Sequence, residues 1–251
     1  MLLMRFFSNG TLLWVHSLLL TASVCLAAVA PLRAAEPAVK SPDAIIDSVL
    51  AAYGGKAALG KVKAYRMEGS VSSVMRGNGA LVRTFARPGR LKIALDYPNY
   101  PETRILDGAK GWRSDGKGNM AVAEGFLLTS MVLQAARADI PWLLDERRAT
   151  FKVLAPMETG KLQGLETPLG DGLTLTVYID TATGRIVRSA GVLVAPEMKT
   201  NFATDYSDFR TVDGVLFSFR EANFASNQST GDTVITSITV NPPLTDTDFR
   251  P

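Results

Sequence analysis

The sequence predicts a mainly β protein whose antiparallel strands follow one another as a meander and close into a sandwich or barrel. Three observations predict it. Apolar and polar residues alternate over several separate stretches, Gly- and Asp-bearing turns recur between them, and only a few short segments follow helical spacing.

The chain of 251 residues opens on a leader. No Asp or Glu occurs before Glu36, Arg5 lies near the start, and positions 12–30 are almost unbroken apolar, which is the layout of an export signal. Pro31 would block a cut after Ala30, so Leu32-Arg33-Ala34 is the expected cleavage site. That gives a signal peptide over 1–34 and a single domain over 35–251. Two rivals read from the same residues are a retained anchor, since positions 12–30 approach the roughly 20 residues of a membrane helix, and a lipid-modified Cys25. Val24 stands before that cysteine, where lipoprotein signals carry Gly, Ala or Ser.

Cleavage removes the single His (His16) and the single Cys (Cys25). The mature chain then lacks the means for disulfides, thiol nucleophiles, Cys or His zinc sites and every Ser-His-Asp or Cys-His arrangement. The chain is read as a non-enzyme with no catalytic residue, no metal ligand and no cofactor. Arg5 and Arg33 also leave, so 27 basic residues become 25 against 24 acidic ones. A balance so close to neutral argues against nucleic acid as a partner.

The elements follow in order. Ser41-Pro42-Asp43 reads as an N-cap, a first-turn proline and an acid suited to the helix dipole. Ile45, Ile46, Val49, Leu50 and Tyr53 continue at helical spacing until Gly54-Gly55, with a second short helix at 56–59. Tyr65, Met67, Val71 and Met75 then share one face of a strand whose other face carries Arg66, Glu68, Ser70, Ser72 and Arg76. Gly77-Asn78-Gly79 is expected to turn into a strand through Phe85. Arg87-Pro88-Gly89 turns again into Leu91, Ile93, Leu95 and Tyr97.

In the second half Leu173, Leu175, Val177 and Ile179 alternate with hydroxyl residues before the turn at 180–184. Strands over 185–194, 202–209, 215–224 and 232–240 complete at least eight. Positions 125–148 break this grammar. Phe126, Leu127, Leu128, Met131, Val132 and Leu133, then Ile140, Trp142, Leu143 and Leu144, predict two short helices hinged near Pro141. These helices are either ordinary core over a sheet or a movable lid on an open barrel.

The acid pairs Asp205/Asp208 and Asp246/Asp248 are possible general acid–base partners, but both sit in or beside turns, where Asp binds nearby backbone amides. Gly108, Gly111, Gly116 and Gly118 around Trp112 lack a phosphate-loop pattern and read as hairpin turns. Asn227-Gln228-Ser229 matches a glycan acceptor and is assigned no role.

Several motifs together resemble the LolA/LolB-like lipoprotein-carrier superfamily, in particular proteins named outer membrane lipoprotein-sorting proteins. They are Tyr53-Gly54-Gly55-Lys56-Ala57-Ala58-Leu59, Tyr65-Arg66-Met67-Glu68-Gly69, Arg87-Pro88-Gly89-Arg90-Leu91, Asp107-Gly108-Ala109-Lys110-Gly111-Trp112, Tyr178-Ile179-Asp180-Thr181-Ala182-Thr183-Gly184 and the run at 206–215. The resemblance implies a curved, incomplete antiparallel β-barrel (a half-barrel), with a few short α-helices covering the concave side. It implies a periplasmic carrier or chaperone that moves a ligand between membranes. The ligand class is a lipid, a sterol-like molecule or lipoprotein acyl chains, with membrane-bound donor and acceptor proteins as possible partners. An interior arginine latches the lid in the family, and Arg66 and Arg83 are the candidates here.

Residues expected to line the apolar cavity and its lid are Leu91, Ile93, Leu95, Trp112, Leu127, Leu128, Met131, Trp142, Leu173, Leu175, Val177, Phe217 and Phe219. A second reading of the same fold is an envelope sensor or interaction module that binds another protein.

Overall fold

The computed structural model describes residues 41–195 and 198–251. The leader, its cleavage site and Cys25 therefore lie outside the described residues. Ser41 caps the first helix α1 (Pro42–Ala52) by accepting from the Ala44 amide at 3.2 Å, and Ile45, Ile46, Val49 and Leu50 form its buried face. Helix α2 (Gly55–Leu59) follows, with Gly54 in the left-handed conformation that the tight link requires.

Six strands come next: β1 (Ala64–Ser73), β2 (Gly77–Ala86), β3 (Arg90–Asp96), β4 (Glu102–Asp107), β5 (Lys110–Ser114) and β6 (Met120–Ala123). Helices α3 (Gly125–Ala138) and α4 (Ile140–Glu146) lead to β7 (Lys152–Val153), β8 (Leu162–Gly170), β9 (Leu173–Asp180) and β10 (Ile186–Ala195). The chain ends with β11 (Met198–Val212), β12 (Val215–Ala225), β13 (Gln228–Val240) and a 3₁₀ turn at Asp246–Phe249.

All thirteen strands belong to one antiparallel sheet, in the order β6-β5-β4-β3-β2-β1-β13-β12-β11-β10-β9-β8-β7. Two meanders thus meet where β1 pairs with β13. The edges β6 and β7 do not pair, so the sheet is an incomplete barrel. Because β6 and β7 are consecutive in the chain yet lie at opposite edges, the α3–α4 segment between them has to cross the sheet. Its Met131, Leu133, Ile140, Trp142 and Leu144 are buried in the main core with α1 and the strands. Two glycines let α3 sit close. A Cβ on Gly111 of β5 would lie 2.8 Å from Leu128 Cδ1, and one on Gly191 of β10 would lie 2.3 Å from Leu133 Cδ2.

The expected helices, including the break before Pro141, are present, and the alternation in β3 and β9 matches the burial of Leu91, Ile93, Leu95, Leu173, Leu175, Val177 and Ile179. The first hairpin differs from expectation. Strand β1 stops at Ser73, Val74–Arg76 form the turn, and Gly77, Asn78 and Gly79 already pair with Ser73, Ser72 and Val71. Met75, placed by period two on the buried face, is 94 % exposed at the tip. Gly77 supplies the positive φ that ends a three-residue loop, so the turn comes three residues earlier than the Gly-Asn-Gly cluster suggests. Strands β4 to β8 show no clear period-two alternation in the sequence. They are short, or, like β8, contain Pro168.

Candidate functional site

A cavity of about 420 Å³ lies between the concave face of the central strands and the α3–α4 segment. Its apolar wall is built by strand alternation, which puts Tyr65 and Met67 of β1, Leu81 of β2, Ile93 and Leu95 of β3 and Phe217 of β12 on the inner face. Trp142 of α4 closes the deep end. Tyr65 holds this end together, with its ring centroid 5.5 Å from Phe85, 6.3 Å from Trp142 and 5.4 Å from Phe217. Two hydrogen bonds fix the aromatic groups to the helices: Tyr65 Oη donates to the Ala138 carbonyl at 2.6 Å, and Trp142 Nε1 donates to the Leu59 carbonyl at 2.8 Å. The wall reaches exposed Ser72 and Thr230 at the hairpin ends.

Part of the lining is polar. Arg83 of β2 donates through both guanidinium nitrogens to Glu221 of β12, at 2.7 and 2.8 Å, with side chains only 17 % and 9 % exposed. Burial opposes both charges, but their mutual attraction and hydrogen bonds win, so the arginine is raised and the glutamate lowered from their ordinary values. Arg137 of α3 donates from Nη2 to the Phe202 carbonyl at 2.7 Å, while its Nε is buried without a partner. One helical turn earlier, Gln134 Oε1 is likewise buried without a partner. Thr204 donates to Asn223 at 2.9 Å beside them. Tyr206 shares a 2.7 Å hydrogen bond with Ser189, and burial pushes its hydroxyl up.

Arg104 at the cavity wall belongs to a further group, in which the fully buried Glu102 carboxylate receives Arg76, Arg104 and Arg113, the last at 2.9 Å. Burial alone would raise Glu102, yet the three guanidinium groups lower it to about 2.

Of the residues expected at the site, Ile93, Leu95, Trp142 and Phe217 line the cavity. Leu91, Met131, Leu173, Leu175, Val177 and Phe219 are buried in the surrounding core, with Leu127 and Leu128 half-buried against it. Trp112 faces away. It pairs with Ile105 and packs in a separate cluster with Ala64, Ala86, Ile105 and Phe249, while its neighbour Gly111 faces α3. Arg83 is the interior arginine of the two candidates, whereas Arg66 is exposed in an ion pair with Glu68.

Period-two alternation alone does not single out Glu221 or Arg137. Glu221 had a signal, since it shares the phase of Phe217 and Phe219, and a charge on the apolar phase of a strand must find an interior partner. The acid pairs take structural roles. Asp205 pairs with Arg188, Asp208 with Arg210 and Asp246 with Arg90, while Asp248 caps the last 3₁₀ turn. Of the glycine cluster, Gly108, Gly116 and Gly118 lie in hairpin turns, where Asp115 accepts from the Lys117 and Asn119 amides, whereas Gly111 lies within β5 facing α3.

No family model and no curated protein sequence matches the chain. Solved structures do. A DUF1329 family protein from Desulfovibrio piger superposes with a TM-score of 0.56 at 11 % identity, covering 84 % of this chain and 98 % of that one. A LolA superfamily protein from Nitrosomonas europaea gives 0.55 at 8 %, covering 85 % and 99 %. A domain described as outer membrane lipoprotein-sorting, from Vibrio parahaemolyticus, gives 0.53 at 9 %, covering 84 % and 97 %. The fold is LolA-like.

Proposed function

We propose that this protein is a carrier or chaperone of the periplasm that shields a lipid or a lipoprotein acyl chain during transfer between membranes. The observation that carries the reading is the cavity of about 420 Å³ under the concave sheet, with Ile93, Leu95, Trp142 and Phe217 on its apolar wall. Burial of a chain there is worth about 0.8 kcal/mol per methylene, which gives useful affinity with few polar contacts. The export-type leader supports a location outside the cytoplasm, and the processed protein is expected to begin near Ala35. Intact-mass measurement of the secreted form checks that start, and a form retaining Cys25 would place the domain on a membrane.

The test of function is purification from an envelope extract followed by mass spectrometry of the organic-soluble material that accompanies the protein. A recovered lipid supports the carrier reading. Neither recovered lipid nor binding of a fluorescent fatty acid would overturn it.

The alternative is an envelope sensor or interaction module. The open edge at β6 favours it, since Val122 on that short strand is 66 % exposed and an unpaired edge accepts an added strand. Capture of a protein partner that is lost when Val122 is replaced by Pro, together with an empty cavity, would select that reading.

A further inference from the structure

We infer that the cavity selects a single-chain amphiphile with an anionic head, of the fatty-acid carboxylate type, and that Arg137 receives the head. The inference rests on the carrier reading and narrows its ligand. It follows from a charge imbalance inside the cavity. Arg83 and Glu221 neutralise one another through two hydrogen bonds. Arg137 is a further cation at the wall: among the described residues no carboxylate forms an ion pair with it, and its one hydrogen bond goes to a neutral carbonyl, whereas Arg104, also at the wall, is held with Arg76 and Arg113 by Glu102.

Its Nε is a buried donor lacking an acceptor, and Gln134 Oε1, three residues earlier on α3, is a buried acceptor lacking a donor. Arg137 is half-buried at the cavity wall, and a ligand carboxylate there would pair a charge that no protein carboxylate pairs among the described residues. Burial disfavours the charge on Arg137, and the nearby Tyr206 and Glu221 offset only part of that.

The remaining geometry sets the tail. The same lining offers the tail Tyr65, Ile93, Leu95, Trp142 and Phe217, with Arg83 and Glu221 paired to one another. The volume of about 420 Å³ lies toward the small end of the about 300–1,000 Å³ of ligand sites, which suits one chain rather than the several chains of a lipoprotein anchor.

The test compares cis-parinaric acid with its methyl ester on delipidated protein purified from an envelope extract, read by probe fluorescence. The two share a tail and differ in head charge. The acid is expected to bind at least about tenfold more tightly, as a charge-assisted hydrogen bond in a desolvated site requires. Arg137→Gln should bring the acid down to the ester's affinity and leave the ester unchanged, while Arg137→Lys should keep a preference for the acid. Equal binding of acid and ester by the unaltered protein, or an acid preference that survives in a folded Arg137→Gln protein, overturns the inference and leaves the carrier reading standing. Binding of neither probe overturns both. The comparison on the unaltered protein decides the matter even if the variants fail to fold.

Discussion

Arg83 and Glu221 join across the inside of the sheet, at 2.7 and 2.8 Å, although two strands, β1 and β13, separate their own. On a flat sheet three strand spacings amount to about 14 Å. The pair therefore depends on the curl of the sheet, and it ties β2 of the first meander to β12 of the second. It also puts two charges into the cavity lining, where Tyr65 lies close enough to be felt by both.

Breaking this pair from one side should be far worse than removing it. Arg83→Met or Glu221→Leu alone leaves a buried charge unmatched and is expected to cost about 3–5 kcal/mol, whereas the double replacement should recover most of that loss. Urea denaturation of the four proteins in a double-mutant cycle measures the difference. Additive losses would mean that the two residues act independently.

The seat of α3 is tested at Gly191. A Cβ there would lie 2.3 Å from Leu133 Cδ2, so Gly191→Ala should lift the helix and destabilise the fold by about 1–3 kcal/mol. Adding Leu133→Ala should relieve the clash, at the expense of a cavity of its own. A Gly191→Ala protein as stable as the parent would show that the helix shifts freely.

How much of this was legible in the sequence depended on how far each signal was local. The α1 cap, the break before Pro141 and the phase of β3 and β9 follow from spacing within a few residues, and all appear. The strands β4 to β8 carry little local signal, because four of them span six residues or fewer and the fifth, β8, carries a proline. In the site, an apolar phase identified inward residues such as Ile93, Leu95 and Phe217, but phase alone does not distinguish cavity wall from closed core. Leu175 and Val177 share that phase and lie in the core outside the cavity wall. Trp112 illustrates another limit, since Gly111 rather than Trp112 holds the inner phase of β5. The pairing of Arg83 with Glu221 is 138 positions long and depends on curvature that no local pattern encodes.

Stability should respond to pH through Asp139, the residue between α3 and α4. Burial raises its carboxyl to about 6 from 3.8. That outweighs the attraction of Arg87 at 3.0 Å, whose guanidinium is shared with Glu146 and lies over Trp142. A raised carboxyl binds its proton more tightly in the folded state. Its contribution is full below about pH 4 and is lost as pH rises through 6, amounting to up to ~3 kcal/mol. Glu102 works in the other direction: its carboxyl falls from 4.5 to about 2, so its contribution is lost only below pH 4.5. Denaturation midpoints are expected to rise from pH 7 toward pH 5, and Asp139→Asn should flatten that rise. A profile unchanged by the substitution would assign the dependence elsewhere.

The last prediction separates core from ligand space on the same inner surface. Met131 is only 1 % exposed and reaches over Gly111 together with Leu128, so this contact fastens α3 to β5 and does not border the cavity. Replacing both residues with Asp puts two charges into that contact, and a loss of several kcal/mol, seen as loss of the cooperative urea transition, is expected. Ile93 stands in a different environment, with its side chain against the empty volume. Ile93→Phe adds bulk where space already exists. Stability should therefore stay within about 1.5 kcal/mol of the parent, while affinity for a fluorescent fatty acid drops because the path from Arg137 to Trp142 is narrowed. If the Asp double variant folds and binds like the parent, the α3–β5 contact is not structural. If Ile93→Phe folds and binds at the parent's affinity, the chain does not lie along β3, and the apolar path would have to be sought on the β11–β12 side near Phe202 and Phe224.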